Sequence, residues 1–233
     1  MKYKTLIKKV GLCESDFKEI EEAVQKAESG TSGEITLAIT AESESYAFWE
    51  LAVATVSAFL LLCGLFPMAN NIYDWLGRIF WNVKPWYLVA FYMIVCGIVI
   101  AGLYLLYNIP WIDSRIIPNH VKEKAVTNRA MRYFTESGVY CTREHTGILI
   151  FVSYFEHEVR IIADKGLNDK IEDDLWKQIA DEVAASIAKK SVKDGFLMAI
   201  EKCGTVFAKN FSTDVPDSEN PNELSDSLVI LKE

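Results

Sequence analysis

The chain has 233 residues, 51% of them hydrophobic, and a formal net charge of −8. That length supports one or two domains with a real core, and the acidic balance argues against nucleic-acid binding, which needs a basic face to displace counterions. Its cysteines, Cys13, Cys63, Cys96, Cys141 and Cys203, are odd in number and widely spaced without a CxxC pair, which argues against a disulfide framework and favours a reducing compartment.

The opening "MKYKTLIKKVG" carries charge but no continuous apolar core, so no signal peptide is expected. "ESDFKEIEEAVQKAESG" (14–30) puts Phe17, Ile20, Val24 and Ala27 on one helical face, with Asp16 and Glu19 as cap and capping partner and Gly30 as the stop. "GEITLAIT" (33–40) alternates Ile35, Leu37 and Ile39 with smaller groups and predicts a strand.

Two apolar runs follow. Leu51–Tyr73 and Pro85–Ile112 contain no charged residue, and crossing a bilayer takes roughly 20 mostly apolar residues. Buried helices of a soluble core are rarely apolar on every side over such a length. Trp49, Trp75, Trp81, Trp86 and Trp111 cluster at or near the run ends, where an interfacial belt would place them, and Glu50 stands at the edge of the first run. The expectation is a transmembrane helical hairpin over 47–111, with spans at about 48–69 and 86–108 and a short connection at about 67–85. Lys2, Lys4, Lys8 and Lys9 precede it, and Arg115, Lys122, Lys124, Arg129 and Arg132 follow it, so the positive-inside rule predicts cytoplasmic termini and a cytoplasmic soluble part. No charge lies mid-span to suggest an ion path. Ala54 with Ala58, and Gly97 with Ala101, are small residues four apart that let helices approach, within the hairpin or against another membrane protein.

Beyond the hairpin, "IPNHVKEKAVTNRAMRYFTESG" predicts a helix with Val126, Ala130, Tyr133 and Phe134 inward, ended by Gly138. "GILIFVS" and "EVRIIA" predict two antiparallel strands joined near Phe155–His157. "IEDDLWKQIADEVAASIAKK" predicts a helix with Ile171, Leu175, Ile179, Val183 and Ile187 on one side, and "VKDGFLMAIEKCGTVFAKNF" another. The stretch from 213 to 233, rich in Pro, Ser, Asn and Asp, reads as an acidic, disordered tail. The soluble pieces, 10–46 and 112–212, thus form one split α/β domain with a central sheet, entered by a strand–helix–strand unit.

The segments "IEEAVQKAESGTSGEITLAI", "RAMRYFTESGVYCTREHTGILIFVSYFEHEVRIIADKGLNDKI" and "VKDGFLMAIEKCGTVFAKNF" together resemble the TPM domain family, which includes a thylakoid-lumen protein linked to photosystem repair and a receptor-accessory protein. The resemblance covers about 14–40 and 118–211 and implies a three-layer α/β/α sandwich, often membrane-associated. It also implies divalent-cation binding and weak acid phosphatase activity, both reported for some members. The chain departs from the family in its internal hairpin and in "DKG" (164–166), which replaces a glycine–aromatic–glycine turn.

For chemistry, "ADKGLNDKIEDD" (163–174) places Asp164 at a strand end and Asp169, Asp173 and Asp174 near a helix start. Such oxygen ligands suit Ca²⁺ or Mg²⁺, and Glu34 at the start of the first strand approaches the same edge. The plain alternative is that Asp169, Asp173 and Asp174 complement a helix dipole. Cys141 and His145 form a C-x₃-H pair without the second pair a zinc site needs. Ser153 reads as a strand residue, and no nucleotide-binding glycine pattern occurs. Two functions follow. One is a membrane-tethered binding or accessory module whose partners are the bilayer and another integral membrane protein or a second copy. The other is a divalent-metal-dependent phosphatase-like hydrolase.

Overall fold

The computed structural model describes residues 6–7, 10–107, 109, 115–189, 191–212 and 222–232. The expectations for Lys2, Lys4, Lys8, Lys9, Trp111, the side chain of Asp173 and the tail segment 213–221 lie outside the described residues. In chain order the elements are α1 (Glu14–Glu28), β1 (Glu34–Thr40), α2 (Ala47–Leu65), a 3₁₀ turn (Phe66–Met68), α3 (Ala69–Ile79), α4 (Trp86–Tyr107), α5 (Asn119–Glu136), a second 3₁₀ turn (Val139–Cys141), β2 (Gly147–Ser153), β3 (Glu158–Ala163), α6 (Lys165–Asn168), α7 (Asp173–Ala188), α8 (Val192–Asn210) and β4 (Val229–Leu231). They fall into two units, Met1–Glu44 with His120–Glu233, and Ser45–Asn119.

The first unit is a three-layer α/β/α sandwich around a four-stranded sheet of order β3-β2-β1-β4. β1 pairs parallel with β2 (Glu34 opposite Gly147) and with β4 (Ala38 opposite Val229), while β2 and β3 are antiparallel (Ile148 opposite Ala163). Side chains alternate across a strand with period two, and here the alternation divides two cores. Ile35, Leu37, Ile39, Ile148, Ile150, Val152 and Val159 share one with α1, α7 and α8. Ala38, Leu149 and Phe151 share the other with Val126, Ala130 and Phe134 of α5. β1 and β2 are buried along their whole length; β2 accordingly reads as a nearly continuous apolar run, whereas β1 sets Thr36, Ala38 and Thr40 between its larger apolar residues.

Four details differ from the sequence expectation. Cys13 caps α1, and its main-chain N–H donates to Asp16 Oδ2 at 2.8 Å. Asp16 is therefore the third helical residue, the partner within a capping box, instead of the cap itself. Glu19 pairs with Lys193. In α7, Trp176 is buried and Leu175 is 36% exposed. The steps 176, 179, 183, 187 hold one helical stripe, from which 175 lies a full residue's rotation away. Finally, the tail is not wholly outside the fold, because Val229–Leu231 is the edge strand beside β1. "LVIL" (228–231) is a short apolar, β-branched run, enough to hold a strand once an open edge is offered.

The second unit is an apolar helical hairpin. Two of its helices, Ala47–Ile79 with its internal 3₁₀ turn and Trp86–Tyr107, are long and apolar enough to cross a membrane. α2 and α4 run antiparallel. Ser57 Oγ lies 3.5 Å from Tyr107 Oη, and Tyr92 Oη donates to the Leu65 carbonyl at 3.2 Å. Ala54 and Ala58 are fully buried, and Glu50 joins them on the same face, because 50, 54 and 58 are four apart. Glu50 is thus enclosed, not turned to water at the run edge as expected, and its Oε2 has no hydrogen-bond partner among the described residues. The expected connection at 67–85 is mostly helical. Pro67 lies in the 3₁₀ turn, and α3 follows with Leu76 buried and Asp74 exposed. Ile72, Tyr73 and Leu76 recur at helical spacing, so this stretch is an amphipathic helix.

Candidate functional site

The chemistry-bearing side chains of the α/β unit gather at the end of the sheet where β1 and β2 begin and β3 finishes. There Glu34, Gly147 and Asp164 stand side by side on successive strands, since Asp164 N–H donates to the Gly147 carbonyl at 2.9 Å. Strands are about 4.8 Å apart, so Glu34 and Asp164 share this end of the sheet with one strand between them.

Asp164 has two partners. Oδ1 accepts the Lys165 N–H at 2.7 Å and caps α6, and Oδ2 lies 3.0 Å from His145 Nδ1. The imidazole is mostly in solvent and the carboxylate largely shielded. His145 holds a left-handed backbone, φ 54°, and its carbonyl accepts from the Gly166 N–H at 2.9 Å. A Cβ at Gly166 would meet the His145 and Glu144 carbonyl oxygens at 2.6 and 2.7 Å. The glycine of "DKG" is therefore required for this close approach, and it holds His145 against Asp164.

The other acids of the loop do not join this pair. Asp169 is the C-cap of α6 and is exposed. Asp174 is exposed in the first turn of α7, where a carboxylate complements the helix dipole. Asp169 and Asp174, with Asn168, Lys170, Ile171 and Glu172, line a shallow cleft of about 540 Å³. The Lys170 ammonium donates to the Asn210 carbonyl at 3.2 Å and lies 4.3 Å from the Phe211 ring centroid. Among the described residues, no three His, Cys, Asp or Glu side chains converge so as to hold a metal ion.

Glu34 belongs to a different group. It is 6% exposed, and its Oε2 has no hydrogen-bond partner among the described residues. Close to it Glu28, in the last turn of α1, accepts the Ile35 N–H on Oε1 at 2.6 Å. The C-terminal segment adds Asp226, 7% exposed and bonded to Asn222 at 2.6 Å, and Glu223, which accepts the Arg143 N–H at 2.9 Å. Burial pushes the Glu28 carboxyl up to about 8, with the charges of Glu34 and Asp226 adding to it and the Ile35 N–H opposing. Burial likewise pushes Glu34 up to about 7, where Glu223 and Asp226 add and the main-chain N–H groups of Glu223 and Leu224 oppose.

At the opposite end of the sheet, a buried polar network closes on itself. Ser43 Oγ lies 2.8 Å from Ser153 Oγ, Ser43 N–H donates to Glu156 Oε1 at 2.9 Å, and Ser153 donates to Glu156 Oε2. These bonds answer the desolvation of three polar side chains, so the network is structural. The sequence reading found neither this network nor the Glu28–Glu34–Glu223–Asp226 group. The His145–Asp164 pair was accessible through the strand register, because two residues before Gly147 must lie near the residue paired with Gly147.

Residues 116–206 match the family model of the TPM domain. No curated protein matches the chain. Among solved structures, the chain is similar to the BA42 protein from the psychrophilic bacterium Bizionia argentinensis, solved by NMR, with 19% identity over 94% of each chain and a TM-score of 0.53. At that identity the likeness concerns the fold, and it agrees with the sandwich described above. Over residues 116–206 the α/β unit of this chain is similar to the TPM domain.

Proposed function

We propose that the protein is a membrane-tethered accessory module, in which the hairpin inserts in a bilayer and the TPM domain stands on its cytoplasmic side, engaging another integral membrane protein. The observation that carries this reading is the outward apolar surface of the hairpin. Phe59, Leu60, Ile94, Ile98 and Leu105 are all more than half exposed, on helices of spanning length. In water such a surface marks an interaction site or an aggregation hazard, whereas in hydrocarbon it is solvated. Orientation is supported by Lys122, Lys124, Arg129 and Arg132, which follow the second apolar helix closely. α3, apolar on one side and carrying Asp74 and Arg78, has the make-up of a helix lying in the interface.

The test is affinity capture of the full chain from mild detergent extracts after brief chemical crosslinking in intact membranes. A membrane protein recovered in stoichiometric amount supports the module, and repeated recovery of the chain alone contradicts it. The hydrolase reading would rest on Asp164, already bonded to His145. A thermal stabilisation by Ca²⁺ or Mg²⁺ that disappears in Asp164→Asn would favour that alternative, since a ligand of the native state raises its stability.

A further inference from the structure

The C-terminal segment lies against a group of acidic side chains in the α/β unit. Four carboxyl groups meet along the outer edge of β1: Glu28 from the end of α1, Glu34 from β1 itself, and Glu223 and Asp226 from the segment that leads into β4. The ionisable groups acting on Glu28 are Glu34 and Asp226, and those acting on Glu34 are Glu223 and Asp226. The loop before β2 contributes the main-chain N–H of Arg143, bonded to Glu223. Among the described residues, the ionisable groups that act on the two are acidic.

Of the four, Glu34 and Asp226 are buried, Glu28 is half-buried and Glu223 is exposed. The shielded members stay in place only if some are protonated, because like charges at short range in a shielded site cannot all ionise. The buried, unpartnered Oε2 of Glu34 is an atom suited to carry such a proton. The segment is held at a small number of points. β4 contributes three residues at the sheet edge, Leu228 enters the main core, and Ile230, Leu224 and Leu231 are only partly buried. The main-chain N–H groups of Glu223 and Leu224 donate to the Glu34 carboxylate, which opposes the effect of its burial.

We propose that residues 222–231 form a proton-dependent latch on the edge of β1, docked while the Glu28–Glu34 pair retains its protons and released when the pair ionises against Glu223 and Asp226. The latch goes beyond the accessory-module reading and does not depend on it. Both carboxyls titrate higher when docked than when exposed, so the docked state is favoured below the ordinary carboxylate range. It loses that advantage as pH rises through about 7 and about 8. Release uncovers the main-chain groups that β1 presents to β4 along Ala38–Thr40, and a bare strand edge is a template for pairing with another strand.

The test is methyl NMR of the full chain in detergent micelles, with Ile, Leu and Val ¹³C-methyl labels, between about pH 5.5 and about pH 9, a range that brackets the carboxyl titrations. Ile230 and Leu231 report the latch, and Leu149 and Ile150 report the core. The expected result is native shifts for all four at the acid end. At the alkaline end Ile230 and Leu231 move toward unstructured values while Leu149 and Ile150 stay fixed. In Glu28→Gln/Glu34→Gln, which retains an acceptor for the Ile35 N–H, the movement disappears. Unmoved Ile230 and Leu231 methyls in the wild type overturn the proposal, and that reading needs no variant to fold. So does an equal movement in the double variant, or a simultaneous loss of the Leu149 and Ile150 signals, which would signify unfolding of the whole domain.

Discussion

The two units of this chain handle apolar side chains in opposite ways. In the α/β unit they are spent inward. Ile35, Leu37, Leu149 and Phe151 are fully buried, each strand of the central pair serving two cores at once. In the hairpin they face outward, Phe59 at 64% and Leu105 at 71% exposure, and the small residues Ala54 and Ala58 take the inner positions. The inversion is what a change of solvent demands. Where the surroundings are hydrocarbon, apolar groups gain nothing by hiding, and close helix packing falls to small side chains. On the proposed bilayer placement, one chain follows both rules.

The contrast is broken most sharply by truncating an aromatic in each unit. Phe151→Ala removes a fully buried ring, with an expected loss of ~3–5 kcal/mol in the urea unfolding of the α/β unit. Phe59→Ala is expected to leave that transition where it is, because Phe59 faces away from any core. Equal losses would show that the hairpin is packed like a soluble interior.

A smaller effect is expected at the end of the sheet. Gly166→Ala drives a Cβ onto the Glu144 and His145 carbonyls, a backbone clash with an expected cost of ~1–3 kcal/mol. It also loosens the His145–Asp164 contact, visible as changed His145 ring chemical shifts by NMR at fixed pH. If stability and ring shifts both match the wild type, the close approach is not a constraint.

Smaller again, Asp164→Ala removes the α6 cap, for ~0.5–2 kcal/mol. α6 is a helix of four residues, so the lower part of that range is expected in thermal unfolding.

The pH dependence separates the two units in another way. Glu28 and Glu34 are raised, so their contribution to the α/β unit is intact in acid and lost as pH rises through about 7 and about 8. Over that interval the urea midpoint is expected to fall slightly, and to fall less in Glu34→Gln. A midpoint rising with pH would contradict the uncompensated acidic group.

Most of the fold was legible because its signals are local. β1, β2, β3, α1, α5, α7 and α8 follow from period-two and period-3.6 patterns, α2 and α4 from the length of their uncharged apolar runs, and the antiparallel pairing of β2 with β3 from their short connection. Where the reading failed, a non-local partner decided. β4 is three residues within an acidic, proline-containing stretch, and only the open edge of β1 makes it a strand. α3 was hidden because Pro67 and the two asparagines announce a turn, while the amphipathic spacing of Ile72, Tyr73 and Leu76 continues through it. The site was legible only in part. Asp164 and Glu34 were rightly placed at one end of the sheet. Their actual partners, His145 for one and Glu28 with Asp226 for the other, come from segments 19 residues away in the first case and from opposite ends of the chain in the second. No spacing rule joins residue 28 to residue 226.

The cysteines offer the most direct check of membrane tethering. Cys13 and Cys141 are exposed on the α/β unit, whereas Cys63 and Cys96 lie on α2 and α4, and Cys63 is also exposed. A membrane-impermeant maleimide applied to inverted vesicles is expected to label Cys13 and Cys141 rapidly and to leave Cys63 and Cys96 unlabelled until detergent and denaturant are added. Rapid labelling of Cys63 in intact vesicles would put α2 in water and contradict the membrane reading.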